Sequence, residues 1–304
     1  MMKHAAFAAG AALAALGASP AFAQLYTGIE TGSAPPMRVS DLSGFPDVEW
    51  SNSHAIDVSG AAATPEGVIY VCNGAFTTNL YRIEPGGSPE FVSRIDKDMH
   101  ALAYGRGTLY GYSNFADPKG IYAIDPASGA TTLVVDVHTV EGFRFFALDY
   151  NPADDLLYGY TEYGDTGLYS INIDTGEMLK IAEPFDAANT QGRGMAVGDN
   201  TVYITATRGD DGVPFFAYDL SQGPNGSWVG LDNAYPNDHA TGGAAWVGAA
   251  CAPDINGDGE VNTQDVLAFL NAWNADDSIA DWNGDGAINT QDVLAYLNDW
   301  VAGC

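Results

Sequence analysis

Ala147-Leu148-Asp149-Tyr150-Asn151-Pro152, closed by Leu157-Tyr158, has near copies on both sides of it in the chain. Ala55-Ile56-Asp57-Val58 and Ala101-Leu102-Ala103-Tyr104 precede it; Met195-Ala196-Val197 and Ala244-Ala245-Trp246-Val247 follow. The starts of these stretches fall 46, 46, 48 and 49 residues apart. An apolar–tyrosine pair comes after each of the first four: Ile69-Tyr70, Leu109-Tyr110, Leu157-Tyr158 and Val202-Tyr203. A second aromatic series, Tyr81, Tyr122, Tyr169 and Phe216, is spaced 41, 47 and 47. Turn signals such as Pro85-Gly86-Gly87 and Asp174-Thr175-Gly176 separate the copies.

Short alternating strands, glycine-rich turns and a period in the mid-forties describe the blades of a β-propeller. The alternation has period two, which excludes helical repeats of similar length. A single four-stranded sheet cannot cover both its faces, so blades stack around an axis and cover one another with their aromatics. Residues 24–250 give room for about five blades at about 46 residues each. The fifth is expected to combine residues 243–248 with 25–52 and so close the ring. Tyr70, Tyr110, Tyr158 and Tyr203 are then core residues, and the acids Asp57, Asp149 and Glu162 read as turn residues. The motif set resembles the YVTN/NHL-like propellers of exported bacterial proteins, a likeness that implies a fold and no activity.

The C-terminal region carries a different duplication. Asp254-Ile-Asn256-Gly-Asp258-Gly259-Glu260-Val261-Asn262-Thr263-Gln264-Asp265 is repeated 27 residues later as Asp281-Trp-Asn283-Gly-Asp285-Gly286-Ala287-Ile288-Asn289-Thr290-Gln291-Asp292. A helix is predicted after each copy, over Val266–Trp273 and Val293–Trp300, with 266, 267, 270 and 273 as one buried face. Positions 1, 3 and 5 of each copy supply oxygens that converge on a point, and Gly259 and Gly286 permit the sharp turn. Glu260 and Ala287 stand where a backbone carbonyl is used, and Asp265 and Asp292 close the loops. Such a hard-oxygen set suits Ca²⁺, with two ions for the two loops.

Asp takes the place of the usual closing EF-hand Glu, and Ala252-Pro253 leaves no room for an entering helix. A loop–helix pair of this form resembles a type I dockerin, over residues 251–304. The resemblance implies a small α-helical calcium-loop domain whose partner is a cohesin-like or other surface scaffold protein. It also implies partner contacts at Thr263, Gln264, Thr290 and Gln291, identical in the two halves. The terminal Gly303-Cys304, with Cys251 at the start, looks like the Gly-Cys-ending variant of that domain.

Composition bounds the rest. The chain has 304 residues, 39 acidic and 11 basic, for a formal charge of −28. That excess argues against nucleic-acid binding and against docking on an anionic membrane. No Lys or Arg follows Arg208, so the tail suits a cationic partner. Residues 1–23 read as a signal peptide, with a basic start, an apolar run and Ala21-Phe22-Ala23 at the cleavage site. The mature chain is then exported, secreted or held at the cell surface, with no membrane span. Cys251 and Cys304 are expected to bridge, the alternative being a Cys304 free for covalent attachment; Cys72 reads as a buried small hydrophobe on a strand.

His54 and His100 precede the inner-strand alanines, and Arg144 and Arg193 lie near the same point in later copies. Together they form a candidate site for an acidic ligand or a metal at the mouth of the propeller channel. No nucleophile elbow, phosphate loop or H-E-x-x-H is present. Two functional readings stay open: a recognition or structural propeller tethered by its tail, and a tethered glycoside hydrolase or lyase acting on polysaccharide.

Overall fold

A computed structural model of the chain describes residues 24–29, 37–39, 48–49, 58–73, 78–84, 87–137, 144–185, 191–198, 200–207, 215–231, 241–247, 253–256, 261–275, 277–283 and 286–302. Twenty strands form five four-stranded antiparallel sheets among these residues. β1 (Gln24–Ile29), β2 (Met37–Val39) and β3 (Val48–Glu49) begin the chain. The first complete blade is β4 (Gly60–Ala63), β5 (Ile69–Asn73), β6 (Asn79–Ile83) and β7 (Glu90–Arg94). The second is β8 (Ala101–Gly105), β9 (Thr108–Ser113), β10 (Gly120–Ile124) and β11 (Thr131–Asp136). β12 (Arg144–Asn151), β13 (Leu156–Tyr163), β14 (Gly167–Ile171) and β15 (Met178–Ala182) make the third. The fourth is β16 (Gln191–Gly198), β17 (Thr201–Thr207), β18 (Phe215–Asp219) and β19 (Val229–Leu231). Finally β20 (Thr241–Val247) pairs with β1, Leu25 opposite Trp246 and Tyr26 opposite Ala245, so the first and last strands share the fifth sheet.

The inner strands β4, β8, β12, β16 and β20 each contact the next, and β20 contacts β4, which closes the ring. Gly60, Ala101, Ala147, Gly194 and Gly243 meet around the axis, together with Phe146, and leave no room for a water molecule between them. A Cβ on Gly243 would stand 2.7 Å from the backbone of Gly60 and Ala61, so glycine is required by close approach there. The expected channel is therefore closed at this level by backbone packing.

Strand register corrects the reading of the first blade. The inner strand is Gly60–Ala63, not Ala55–Val58: Ala62 pairs with Tyr70 as Ala103 pairs with Tyr110 and Ala196 with Tyr203. Ala55 has the right letters but lies before the strand, and the 41-residue spacing from Tyr81 to Tyr122 was the truer ruler. His54, matched to His100 through that reading, lies outside the described residues. The tyrosine stripe is core, as expected: Tyr110, Tyr158 and Tyr203 are buried and Tyr70 half-buried.

Asp149 and Glu162 are not turn residues; they lie in β12 and β13. Asp149 fills the place that Ala62, Ala103 and Ala196 take in the other blades, opposite Tyr158. Its carboxylate accepts hydrogen bonds from the N–H of Tyr150 (2.9 Å) and of Val197 (2.7 Å) in the neighbouring inner strand. Burial pushes this carboxyl up to about 7, against the opposing pull of those two N–H groups. On an exposed turn, Arg106 joins blade two to blade three through Asp174 (2.9 Å) and Asp155. Cys72 is buried in β5, where burial pushes its thiol up to about 12 and leaves it unreactive at neutral pH.

The C-terminal region forms α1 (Thr263–Asn274) and α2 (Thr290–Ala302), with a single 3-10 turn at Ser278–Ala280 between them. No helix among the described residues is long and apolar enough to cross a membrane.

Candidate functional site

The two loop–helix copies fold alike, and each is organised by its closing aspartate. Asp265 is completely buried and accepts from the N–H of Asn262 (2.8 Å) and Asn256 (3.3 Å). Asp292, equally buried, accepts from Asn289 N–H (2.7 Å) and Asn283 N–H (3.1 Å). Asn262 caps α1 by accepting from Gln264 N–H, and Asn289 accepts from Gln291 N–H, both at 2.8 Å. With Asp265 at the third helical position, this is a capping box. The sequence Asn-Thr-Gln-Asp carries that signal twice. Each closing carboxylate thus starts its helix and ties the loop back onto it. The backbone hydrogen bond from Asn289 is the largest influence on Asp292 and holds its carboxyl below the usual range.

The second loop has a buried oxygen without a partner. Asp281 Oδ2 accepts from Gly286 N–H at 2.9 Å, while Asp281 Oδ1 is buried and lacks a hydrogen bond among the described residues. The Ala287 carbonyl accepts from the Asn289 side chain at 2.9 Å. Asp254 is half-buried and Asn256 exposed at the start of the first loop. Asp258, Glu260 and Asp285 lie outside the described residues. Among the described residues no three His, Cys, Asp or Glu side chains gather as a metal site, each loop contributing two of its acids.

Beneath the loops the copies interlock. Phe269 and Tyr296, 27 residues apart, stack with centroids 4.1 Å apart, and Trp282 meets both rings edge-on. Trp273 donates to the carbonyl of Asn289 (3.0 Å), and Trp300 donates to the carbonyl of Asn262 (2.9 Å). Each helix therefore holds the other's capping residue. The predicted buried face is corrected: Val266, Phe269, Ala272 and Trp273 pack inward, whereas Leu267 is 61% exposed. Its counterpart Leu294 is 64% exposed. Thr263, Gln264, Thr290 and Gln291 are exposed in the first turns of their helices. Cys251 and Cys304 lie outside the described residues.

Residues 252–298 match the dockerin type I domain. Dockerin domains of this type bind calcium and dock on cohesin-type scaffold partners, typically outside the cell or at its surface. No curated protein matches the sequence. Among solved structures, a protein of unknown function from Bacteroides thetaiotaomicron VPI-5482 is 17% identical, with a TM-score of 0.49 over 74% of this chain. The chain spans 65% of that protein, just under two thirds. TolB from Acinetobacter baumannii is 11% identical, with a TM-score of 0.47 over 74% of this chain and 66% of its own. A protein of unknown function from Bacteroides caccae, also 11% identical, gives 0.44 over 75% of this chain and 99% of its own. The dockerin match leaves the propeller's role to be read from its own side chains.

There the structure brings together two of the four predicted residues. His100 Nε2 lies 3.1 Å from Asp98 Oδ2, and Ser113 Oγ donates to Asp98 Oδ1 at 3.1 Å. The His100 ring lies 5.5 Å from Phe115, centroid to centroid. On β12, the Arg144 guanidinium stands 5.7 Å from the same Phe115 ring and 4.4 Å from Phe146. Arg193 is in β16, and its side chain lies outside the described ones. Asp98 and Phe115 were missed because neither recurs with the repeat.

Proposed function

We propose that the chain is an exported, calcium-dependent attachment protein. Residues 251–304 would form the docking module, residues 24–250 the propeller it carries, and residues 1–23 the leader that directs export. The reading is supported by the duplicated loop: two buried closing aspartates with matching hydrogen bonds, and a buried Asp281 oxygen with no hydrogen-bond donor among the described residues. A carboxylate oxygen removed from water and left unpaired is costly, and a hard cation is the partner that offsets it.

Two Ca²⁺ ions are proposed. Asp254, Asn256, Asp258, the Glu260 carbonyl and Asp265 would hold the first. Asp281, Asn283, Asp285, the Ala287 carbonyl and Asp292 would hold the second. Each ion would neutralise charge in a tail with ten acids and no base. The metal would give these loops the rigidity on which the helix starts depend. Thr263, Gln264, Thr290 and Gln291 then stand at two equivalent edges toward a cohesin-type scaffold. Exposed Leu267 and Leu294 beside them give each edge an apolar anchor.

Calcium titration of the chelator-treated protein tests this, read by far-ultraviolet dichroism and by capture on an immobilised cohesin domain. Helical signal and capture are expected to rise together and to be lost in chelator. A helical signal and capture that ignore calcium would overturn the reading.

A further inference from the structure

We propose that the propeller binds a sugar carboxylate, one uronate residue of a short acidic saccharide, on a platform formed by Arg144, Phe115 and Phe146. In this strongly acidic chain Arg82, Lys97, Arg106 and Lys180 all reach carboxylates. Arg144 does not: among the described residues no carboxylate pairs with it, and its Nε is buried without an acceptor. Asp98 accepts from Ser113 and lies 3.1 Å from His100, with no ion pair to Arg144 among the described residues. What holds the guanidinium is aromatic, with Phe146 at 4.4 Å and Phe115 at 5.7 Å.

Packing by aromatic rings fixes the plane of a guanidinium while leaving its edge donors to meet an acceptor. A carboxylate is the acceptor whose two oxygens match that edge. Lys119 stands near enough that Arg144's charge, after burial, lowers its pKa, which places a second cation within reach of the platform. Phe115 adds the second half of the site: a phenyl ring 60% exposed, a surface for the apolar C–H face of a pyranose. A free inorganic anion would use the arginine and leave the platform idle. A long polyanion would meet the repulsion of a −28 chain, so a short saccharide fits best. This reading does not depend on the C-terminal module.

The test is calorimetric titration of the full calcium-loaded chain with digalacturonate and with its methyl ester, which has the same rings and no charge. The acid is expected to bind roughly tenfold or more tightly than the ester, the usual scale of one charge-assisted contact. Arg144→Gln should erase that preference at an unchanged melting temperature. Phe115→Ala, at a side chain 60% exposed, should weaken acid and ester alike with the melting temperature recorded beside it. No binding by the parent chain, equal binding of acid and ester, or full binding by both variants would overturn the proposal. So would equal competition by inorganic phosphate or by a glutamate dipeptide, which would make the site a general anion or acidic-peptide site.

Discussion

Asp149 is where one residue departs from its own repeat. The other blades place alanine opposite the paired tyrosine; the third places a carboxyl there, 6% exposed, bridging to the next blade through Val197 N–H. Its folded pKa of about 7 lies above the ordinary carboxylate value of 3.8. Between those two values the unfolded chain has released the proton and the folded chain keeps it. Folding stability therefore falls as pH rises through that window, by up to about 1.4 kcal/mol per pH unit, and the loss is complete above the folded value. Asp149→Asn keeps an acceptor for Val197 and has no proton to lose. Urea midpoints at pH 5 and pH 8 should show the parent chain weaker at the higher pH, and the difference smaller in the variant. An equal loss of stability at both pH values would mean that the carboxyl is merely a packing group. The sequence shows this aspartate inside the repeat. Its burial was not legible, because an acid at a repeat position reads as a turn cap until the register places it in a strand.

At the scale of elements, the C-terminal helices are held by exchange. Trp273 and Trp300 reach across to Asn289 and Asn262, the capping residues that also receive the helix starts. Trp300→Phe would retain most of the ring packing and leave the Asn262 carbonyl without this donor. A lost hydrogen bond of that kind costs about 1 kcal/mol, and more if the acceptor stays buried. The expected result, in saturating calcium, is a lower melting temperature for the helical dichroism with the β-rich signal of the propeller unchanged. A variant that melts like the parent would show that stacking of Phe269 on Tyr296 alone holds the pair. The duplication made both helices legible. Their inner face was not, since Val266, Leu267, Leu270 and Trp273 satisfy helical spacing as well as Val266, Phe269 and Trp273 do. A two-helix module has one small core, and the large aromatics with a partner to stack against take it. The leucines are left outside, where a docking face can use them.

The whole ring depends on how each blade receives the next. Its closure was legible in outline: a period in the mid-forties gives about five blades over residues 24–250, with four or six left open, and the five sheets, the last shared by the first and last strands, decide for five. What the period did not show is the interlock between blades, which is made by unlike residues at each joint. At one joint Tyr150 of blade three lies over Gly105 at the end of β8; at another Trp246 of the closing blade lies over Gly198 at the end of β16. Trp246 also stacks on Tyr203 at 5.1 Å with the planes 7° apart, so it has a wall on that side. A Cβ on Gly198 would fall inside the indole ring, and the indole cannot slide without leaving Tyr203. Gly198→Ala is therefore expected to destabilise the propeller by about 1–3 kcal/mol, the ordinary cost of overpacking. The damage falls on the joint where the chain's first strand meets its last, because Trp246 lies opposite Leu25 in the β1–β20 pair. Denaturant unfolding should give a lower midpoint, and amide exchange should quicken first along β20 and β1. Trp246→Leu in the same background removes the obstructing ring and should recover part of the loss. An alanine variant as stable as the parent would show that the closing blade tolerates displacement, and that ring closure does not rest on this contact.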